Sequence, residues 1–267
     1  MQASYKGKPI QPSRNFSDLV EVMSILRKEC PWDKKQTHES LKDLMVEEIY
    51  EAIAAIDDGD MDELKKELGD ILLHVVFHAE MASESNSFDI GDVIYGIMDK
   101  LIRRHPHVFS TIKADDADIV KKNWENLKMQ EKDRKSVLQG VPSNLPGLLR
   151  AQRMQEKAGA VGFDWKEWKA AWVKLQEELD EFKDVVDEMD KQKAADEFGD
   201  VIFSMVNVGR LLGLDAEDSL RLTNTKFQQR FTYIEAELAR QNKKPSEVSL
   251  EEMDVLWEQA KDLNPKA

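Results

Sequence analysis

The sequence lacks several features that mark whole classes of protein. Its 267 residues include one cysteine, Cys30, which cannot form an intrachain disulfide. Residues 1–11 lack the apolar core of a secretion signal, and no apolar run approaches the roughly 20 residues that cross a bilayer. We therefore expect a soluble protein of the reducing cytoplasm that does not bind within a membrane.

Glycine and proline are also scarce, with 12 and 8 residues respectively. Few β-branched residues alternate with polar ones, whereas long segments have helical periodicity, so the sequence predicts an all-α protein without a convincing strand. The predicted helices of the first half lie near residues 16–28, 40–57, 60–84, 90–104 and 116–135. Those of the second half lie near residues 150–158, 167–189, 191–212, 216–241 and 248–262.

Basic residues are few relative to acidic ones. The chain has 38 Lys and Arg against 52 Asp and Glu, which gives a net charge of −14. This balance disfavours nucleic acid and anionic membrane as partners that are bound through charge alone. An anionic substrate would need a metal ion as a bridge to such a protein.

The acids themselves form a pattern that occurs twice. The first copy is Glu47, Glu48, Glu51, Glu67 and Asp70, and the second is Glu177, Glu178, Glu181, Glu197 and Asp200. Every acid is displaced by 130 residues between the copies, so the register is kept across two predicted helices and their turn. Acids three residues apart share a helical face, and two such helices folded back on each other would face four carboxylates across one seam. Such a seam suits hard divalent cations.

The repeat extends beyond the acids and predicts two related domains. Pro31-Trp32-Asp33 corresponds to Gly162-Phe163-Asp164, at a displacement of 131 residues. Between the copies, the segment from Gln139 to Gly147 contains two prolines and two glycines and breaks the helical periodicity. We therefore expect a tandem duplication: a domain at residues 1–138, a linker at 139–149 and a second domain at 150–267, with a helical-bundle metal site in each domain.

Two of the acids lie where apolar residues are expected. Glu48 falls in an apolar stripe between Met45 and Ala52, and Glu178 falls between Leu175 and Phe182. A carboxylate on a core-facing stripe has to be paired, protonated or bound to metal, because burying the bare charge costs several kcal/mol. Solvated acidic faces are the usual outcome for an isolated pair of this kind, but repetition in register favours metal. Mg²⁺ is the first choice and Mn²⁺ a substitute.

Other metal chemistries have less support in the sequence. A carboxylate di-iron site normally adds Glu-x-x-His pairs, and neither acid pattern includes a histidine. His74 and His78 are one helical turn apart and raise the alternative of a zinc site. Their counterparts in the second half are Ser204 and Val208, which favours packed or half-exposed histidines over a metal site.

Basic and aromatic residues also recur in both halves. Lys226 and Arg230 share a helical face in the second half, as Lys100 and Arg104 do in the first; both are able to contact a phosphate or to lie over apolar neighbours. Trp257 and Trp124 recur near the end of each half, as core residues or as a surface for a nucleobase. Lys174 precedes Glu178 by one turn, whereas its first-half counterpart is Leu44. This asymmetry favours the second half as the active copy.

Together these motifs are specific enough to suggest a family. The chain resembles the MazG nucleoside triphosphate pyrophosphohydrolases, in their two-domain bacterial form, from about Phe16 to Leu263. The resemblance rests on both acid patterns and on four further motifs: Cys30-Pro31-Trp32-Asp33, the run from Arg103 to Phe109, the run from Val161 to Trp165, and Lys226-Phe227-x-x-Arg230-Phe231. The acid patterns alone also fit related all-α pyrophosphatases.

The resemblance implies Mg²⁺-dependent hydrolysis of nucleoside triphosphates between the α- and β-phosphates, by a homodimer that removes non-canonical or surplus nucleotides. It implies metal ligands at Glu178, Glu181, Glu197 and Asp200, with Glu48, Glu51, Glu67 and Asp70 as the first-half copy. It implies nucleotide contacts at residues 174–178 (Lys174, Leu175, Gln176, Glu177 and Glu178), Glu197, Asp200, Lys226, Arg230 and Trp257, and more weakly at Lys100, Arg104 and Trp124.

The general base and two rival functions stay open at this point. A carboxylate that is not fully used as a ligand can accept the proton of the attacking water, and Glu177 and Glu178 are both candidates. The rival enzyme is a carboxylate-bridged di-iron oxidoreductase on a similar bundle. The rival without catalysis is a helical interaction scaffold whose acids only keep it in solution.

Overall fold

A computed structural model of the chain describes residues 4–109, 136–187 and 190–263. The chain divides into two compact units, Met1–Asp115 and Asp116–Ala267. The division lies upstream of the linker expected at residues 139–149, and the last three residues of that segment begin a helix. Among the described residues no helix is both long and apolar enough to span a membrane.

The first unit is built from helices around one small core. Its helices are α1 (Phe16–Glu29), α2 (Lys42–Asp58), α3 (Met61–Glu84), α4 (Ile90–Arg104) and the single turn α5 (Pro106–Phe109), with a 3₁₀ turn at Asp33–Lys35. The core consists of Met23, Leu41, Val76, Phe77 and Met81. It therefore joins α1, the segment before α2, and the second half of α3.

A short hairpin precedes these helices and is the exception to the predicted absence of strands. Strand β1 (Ser4–Tyr5) pairs antiparallel with β2 (Lys8–Pro9) across a turn in which Lys6 and Gly7 both have positive φ. Positive φ at both central residues is the geometry of the tight type I′ hairpin turn. The Tyr5 hydroxyl donates a 2.7 Å hydrogen bond to Glu29 at the end of α1, which fixes the hairpin to the helical unit.

The turn between α2 and α3 determines how the first acid pattern is arranged. Gly59 ends α2 in the left-handed conformation at φ 68°, where glycine has no Cβ penalty. Asp60 then caps α3, since its side chain accepts hydrogen bonds from the backbone N–H groups of Asp62 and Glu63. Only two residues separate the helices, so α2 and α3 fold back antiparallel and pack side by side.

The second unit repeats this arrangement. Its helices are α6 (Gly147–Ala160), α7 (Trp168–Asp187), α8 (Lys191–Leu211), α9 (Ala216–Arg240) and α10 (Leu250–Leu263), with a 3₁₀ turn at Pro245–Glu247. Asp190 caps α8 as Asp60 caps α3, by accepting from the N–H groups of Gln192 and Lys193. Ala171, Leu175 and Val208 form the buried core between α7 and α8.

The predicted helices agree with those observed to within about three residues at each end. The all-α class with two related halves is thereby confirmed, with the hairpin as a small addition. The helix expected at residues 116–135 lies outside the described residues.

Candidate active site

The first acid pattern forms a compact group of carboxylates. Glu48 on α2 and Glu67 and Asp70 on α3 place carboxylate oxygens within 4.8 Å of one another. Glu67 is only 6% exposed, whereas Asp70 is exposed and Glu48 is intermediate. The group therefore runs from the interior of the helix pair to its surface.

The second acid pattern forms the same group. Glu178 on α7 and Glu197 and Asp200 on α8 again place carboxylate oxygens within 4.8 Å of one another. Here Glu178 is the buried member, at 7% exposure, while Glu197 is intermediate and Asp200 is exposed. The buried acid thus belongs to the second helix of the pair in one copy and to the first helix in the other.

The fourth predicted ligand of each copy lies beside its group. Glu51 and Glu181 are both exposed, one turn after Glu48 and Glu178. Burial, and then the negative charge of Glu178, raise the pKa of Glu181. The structure therefore brings three of the four predicted ligands into a tight group and keeps the fourth within electrostatic range.

The pKa of Glu67 shows the effect of burying one carboxyl group among others. Burial raises its pKa to about 7, helped by a hydrogen bond with Glu63 and by the charge of Glu51. The causes of this raised pKa are burial and the neighbouring acids, and a cation held beside the group would favour the charged form. All the donors are carboxylate oxygens, the ligands that Mg²⁺ and Mn²⁺ prefer, and a divalent ion fits the group chemically. Among the described residues neither group includes a histidine, as a di-iron site of the Glu-x-x-His type would.

Lys174 supplies a cation to the second group only. Its Nζ lies 2.7 Å from Glu177 Oε1 and 2.8 Å from Glu178 Oε1, both within one helical turn. Hydrogen bonds to Glu177 and then Glu178 raise the pKa of Lys174. Leu44, which takes the equivalent position in the first unit, is 38% exposed and carries no charge. The second group therefore has an ion pair at a position where the first unit has an uncharged side chain.

The remaining residues of the 174–178 segment face different ways. Leu175 is 1% exposed and packs in the core with Ala171 and Val208, so its side chain belongs to the α7–α8 interface. Gln176 and Glu177 are exposed. Glu177 lies outside the three-carboxylate group and is tied to it through Lys174.

The predicted basic and aromatic residues of the second unit form a cluster on α9 and α10. The Arg230 guanidinium lies 5.4 Å from the centre of the Trp257 ring, and the Phe227 ring lies 5.4 Å from the same ring. The Nε of Arg230 is buried without a hydrogen-bond partner in the described structure. Lys226, one turn earlier on α9, is half-buried. Trp257 therefore contacts the predicted phosphate-binding arginine directly.

Only two of the three corresponding residues of the first unit lie among the described residues. Lys100 and Arg104 are half-buried and lie one turn apart on α4. Trp124 lies outside the described residues.

The structure also shows a histidine contact that the sequence did not predict. Nδ1 of His38 lies 2.7 Å from Nδ1 of His78, and the two rings are inclined by only 11°. His74 is buried, and its ring centre lies 6.2 Å from that of His78. His38 precedes α2 and lies 40 residues from His78, so no local periodicity connects the two residues.

A second unpredicted contact explains the motif from Val161 to Trp165. Arg210 on α8 donates two hydrogen bonds to Asp164, of 3.0 and 2.5 Å, and two more to Asn207. Gly162 has φ 91°, a conformation that favours glycine. The motif is thus a turn that is held on α8, about two to three helical turns after Asp200.

Comparison with known proteins agrees with this geometry. The family model described as "MazG nucleotide pyrophosphohydrolase domain" matches the chain twice, at residues 36–109 and 169–234. The two matched segments include both carboxylate groups. The chain is 44% identical over 250 residues to the nucleoside triphosphate pyrophosphohydrolase/pyrophosphatase MazG of Thermotoga maritima, covering 92% of this chain and 95% of that protein. It is 40% identical over 251 residues to the nucleoside triphosphate pyrophosphohydrolase of Escherichia coli K12, covering 91% and 95%.

A solved structure is similar over a shorter stretch. The crystal structure of a mazG-related protein from Thermotoga maritima covers 43% of this chain and 99% of its own, with 26% identity and a TM-score of 0.39. The two matched segments and the long alignments with full-length relatives determine the assignment. This chain belongs to the MazG nucleotide pyrophosphohydrolase family.

Proposed function

We propose that the chain hydrolyses nucleoside triphosphates between the α- and β-phosphates, giving the monophosphate and pyrophosphate, with Mg²⁺ as the required ion and Mn²⁺ as a substitute. The observation that carries this proposal is the group of Glu178, Glu197 and Asp200 beside Lys174. The names of the relatives from Thermotoga maritima and Escherichia coli support the reaction class.

Each residue of the second group has a distinct part in the proposed reaction. Glu178, Glu197 and Asp200 would hold the divalent ion, and Glu181 would contribute from the edge of the group. A bound ion would supply positive charge to the polyphosphate and would make water at the site more acidic. Glu177 lies outside the three-carboxylate group and is not among the proposed metal ligands. Its carboxylate can therefore accept the proton of the attacking water. Glu178 remains the alternative base.

The cluster on α9 and α10 is proposed to bind the nucleotide. Lys226 and Arg230 offer positive charge to phosphate oxygens, and Trp257 offers a flat face to the base or sugar. The Nε of Arg230 has no hydrogen-bond partner in the described structure, so this guanidinium retains donor capacity for an anionic ligand.

A homodimer is proposed because α4 exposes an apolar face. Val93, Ile94, Ile97, Met98 and Leu101 recur at helical spacing and are each 36–54% exposed. A contiguous apolar face of this kind marks an interaction surface, and a second copy of the chain is the partner that the family assignment favours. We place the protein in the cytoplasm as an enzyme that removes unwanted nucleotides.

The reaction is tested by incubating the full chain with each nucleoside triphosphate and Mg²⁺ and identifying the products by ³¹P NMR. Pyrophosphate with the monophosphate is expected, and diphosphate with orthophosphate would contradict the proposal. The same assay with Glu197→Ala and with Glu67→Ala distinguishes the copies. We expect Glu197→Ala to abolish most turnover and Glu67→Ala to leave most of it.

A further inference from the structure

Lys174 bonds to a carboxylate that the proposed metal site also needs. Its Nζ is 2.8 Å from Glu178 Oε1, and Glu178 is the buried member of the second acid group. Burying that carboxylate without a counter-charge would be costly, and the ammonium group compensates its charge. A divalent cation held by Glu178, Glu197 and Asp200 would satisfy the same need. An ammonium group and a metal ion at the same carboxylate would therefore repel each other.

Lys174 has a second anionic partner besides Glu178. Its side chain is partly exposed, and its second partner, Glu177, lies farther out than Glu178, with 54% of its side chain exposed against 9%. A lysine has a flexible four-carbon stem and three rotatable donors, so it can leave Glu178 while keeping an anionic partner nearby. A triphosphate bound to the metal ion would bring such a partner to the site.

We propose that Lys174 is an internal counter-cation that competes with the divalent ion for Glu178 and moves to the phosphates when a nucleotide binds. Metal and nucleotide then strengthen each other's binding at the second site, because each relieves the same competition, and by linkage the effect is equal in both directions. This inference rests on the proposed function of the second acid group.

The first unit provides an internal comparison. Leu44 takes the place of Lys174, so no ammonium from this position competes for Glu48. Competition with a lysine is therefore not expected to affect metal binding at Glu48, Glu67 and Asp70, with or without a nucleotide. The two copies would differ in their coupling even though their carboxylate groups match.

The coupling is measured as binding of Mn²⁺ by electron paramagnetic resonance of the free ion. The full chain carries Glu67→Ala so that only the second site binds, and titrations are run with and without a saturating α,β-methylene triphosphate analogue, which resists cleavage. With Lys174 present, the analogue should tighten Mn²⁺ binding by a factor of about 5 to 150, the usual range of such coupling. With Lys174→Met, Mn²⁺ should bind at least about fivefold more tightly in the absence of nucleotide, and the coupling should fall by a similar factor, leaving only the part that direct contact between metal and phosphate supplies.

Two matched variants separate this device from a general loss of charge. Lys65→Met removes another lysine that is paired one turn away, with Asp62 at 2.6 Å, and should leave Mn²⁺ affinity unchanged. Leu44→Lys, made with Glu197→Ala so that only the first site binds, should weaken Mn²⁺ binding there. Circular dichroism checks that each variant is folded.

The Mn²⁺ titrations distinguish failure of the proposed competition from failure of the proposed metal site. If Lys174→Met binds Mn²⁺ no more tightly than the parent when nucleotide is absent, the competition is wrong, even if the enzyme still hydrolyses triphosphates. If the Glu67→Ala parent binds no Mn²⁺ at all, the metal site of the proposed function is wrong, and the competition is wrong with it.

Discussion

Arg210 holds Asp164 with two hydrogen bonds of 3.0 and 2.5 Å across 46 residues of sequence. The pair fixes the turn that follows α6 onto α8, the helix that carries Glu197 and Asp200. The Arg210 side chain is only 13% exposed, so solvent screens this pair less than it screens a surface ion pair.

Loss of this pair is expected to destabilise the second unit. Asp164→Ala should lower the free energy of unfolding by about 1.5–3 kcal/mol, the range for hydrogen bonds to charged groups, because Arg210 loses its carboxylate partner and keeps only Asn207. Urea denaturation followed by circular dichroism measures the change. Arg153→Met, which removes a more exposed pair with Glu156, should stay within about 0.5 kcal/mol of the parent. Equal losses in the two variants would contradict a special role for Asp164.

Gly159 is expected to be intolerant of a side chain for a related reason. A Cβ at this position would lie 2.7 Å from Asp164 Oδ2, closer than real Cβ contacts, so the carboxylate would have to move away from its place beside Arg210. Gly159→Ala should therefore cost about 1–3 kcal/mol in the same denaturation experiment.

Gly199 offers the matched control. A Cβ there meets no atom within 4 Å, and the residue lies inside α8. Gly199→Ala should stabilise the protein by about 0.4–1 kcal/mol, because alanine restricts the unfolded chain. Destabilisation by Gly199→Ala alone would refute this reading of the two glycines.

The two carboxylate groups are expected to differ in activity. Glu178→Gln keeps the shape of the side chain and removes its charge, so kcat/KM for triphosphate hydrolysis should fall at least about 100-fold. Glu67→Gln should reduce it by much less if the second copy carries the reaction. The control is Glu39→Gln, which removes an exposed carboxylate paired with Lys42. Wild-type turnover by Glu178→Gln in the presence of Mg²⁺ would show that the site is wrongly assigned.

A pH dependence of stability is expected at Glu84 in the first unit. Hydrogen bonds from Arg27, both 2.7 Å long, lower the pKa of Glu84 below its ordinary 4.5. The carboxylate therefore stabilises the fold above the unfolded pKa, and this stability is lost as the pH falls through the folded pKa. Because 48% of the Glu84 side chain is exposed, the contribution at neutral pH should be at most about 1 kcal/mol.

Glu84→Gln tests this sign directly. The variant should unfold at a lower urea concentration than the parent at pH 7, and the difference should shrink as the pH falls below the ordinary pKa of 4.5 and through the lower folded pKa of the parent's carboxylate. A difference that grows towards acid pH would reverse the proposed linkage.

The exposed face of α4 is expected to mediate dimer formation. Ile97→Glu places a charge in the middle of this face and should shift the mass in light scattering from twice 30.7 kDa to 30.7 kDa. Tyr95→Glu adds the same charge on the same helix, at a residue that is 74% exposed and lies to one side of the face. It should leave the dimer intact. A monomeric parent would refute the dimer itself.

Local sequence patterns were sufficient for the helices and for the acid groups. The spacing of apolar residues repeats every three to four positions, and it fixes which face of a helix is buried. The displacement of 130 residues then showed that Glu48, Glu67 and Asp70 belong together with Glu178, Glu197 and Asp200, and both trios do converge.

Contacts between distant segments could not be predicted in the same way. His38 meets His78 and Arg210 meets Asp164 only because packed helices bring loops over them. The hairpin at residues 4–9 depends on two positive φ angles within a run too short to show alternation. Which acid of each trio is buried also depended on packing, since Glu67 and Glu178 occupy different positions in otherwise matching patterns.

The two-residue connection at Gly59 and Asp60 has a consequence for transplanting this site. One added residue there would rotate α3 by about 100° against α2 and carry Glu67 and Asp70 away from Glu48. A designer who wished to move the carboxylates to another scaffold would therefore have to move residues 42–84 as one cassette, loop included. Gly59 and Asp60 are not members of the carboxylate group, but the length of their connection sets the distance between its carboxylates.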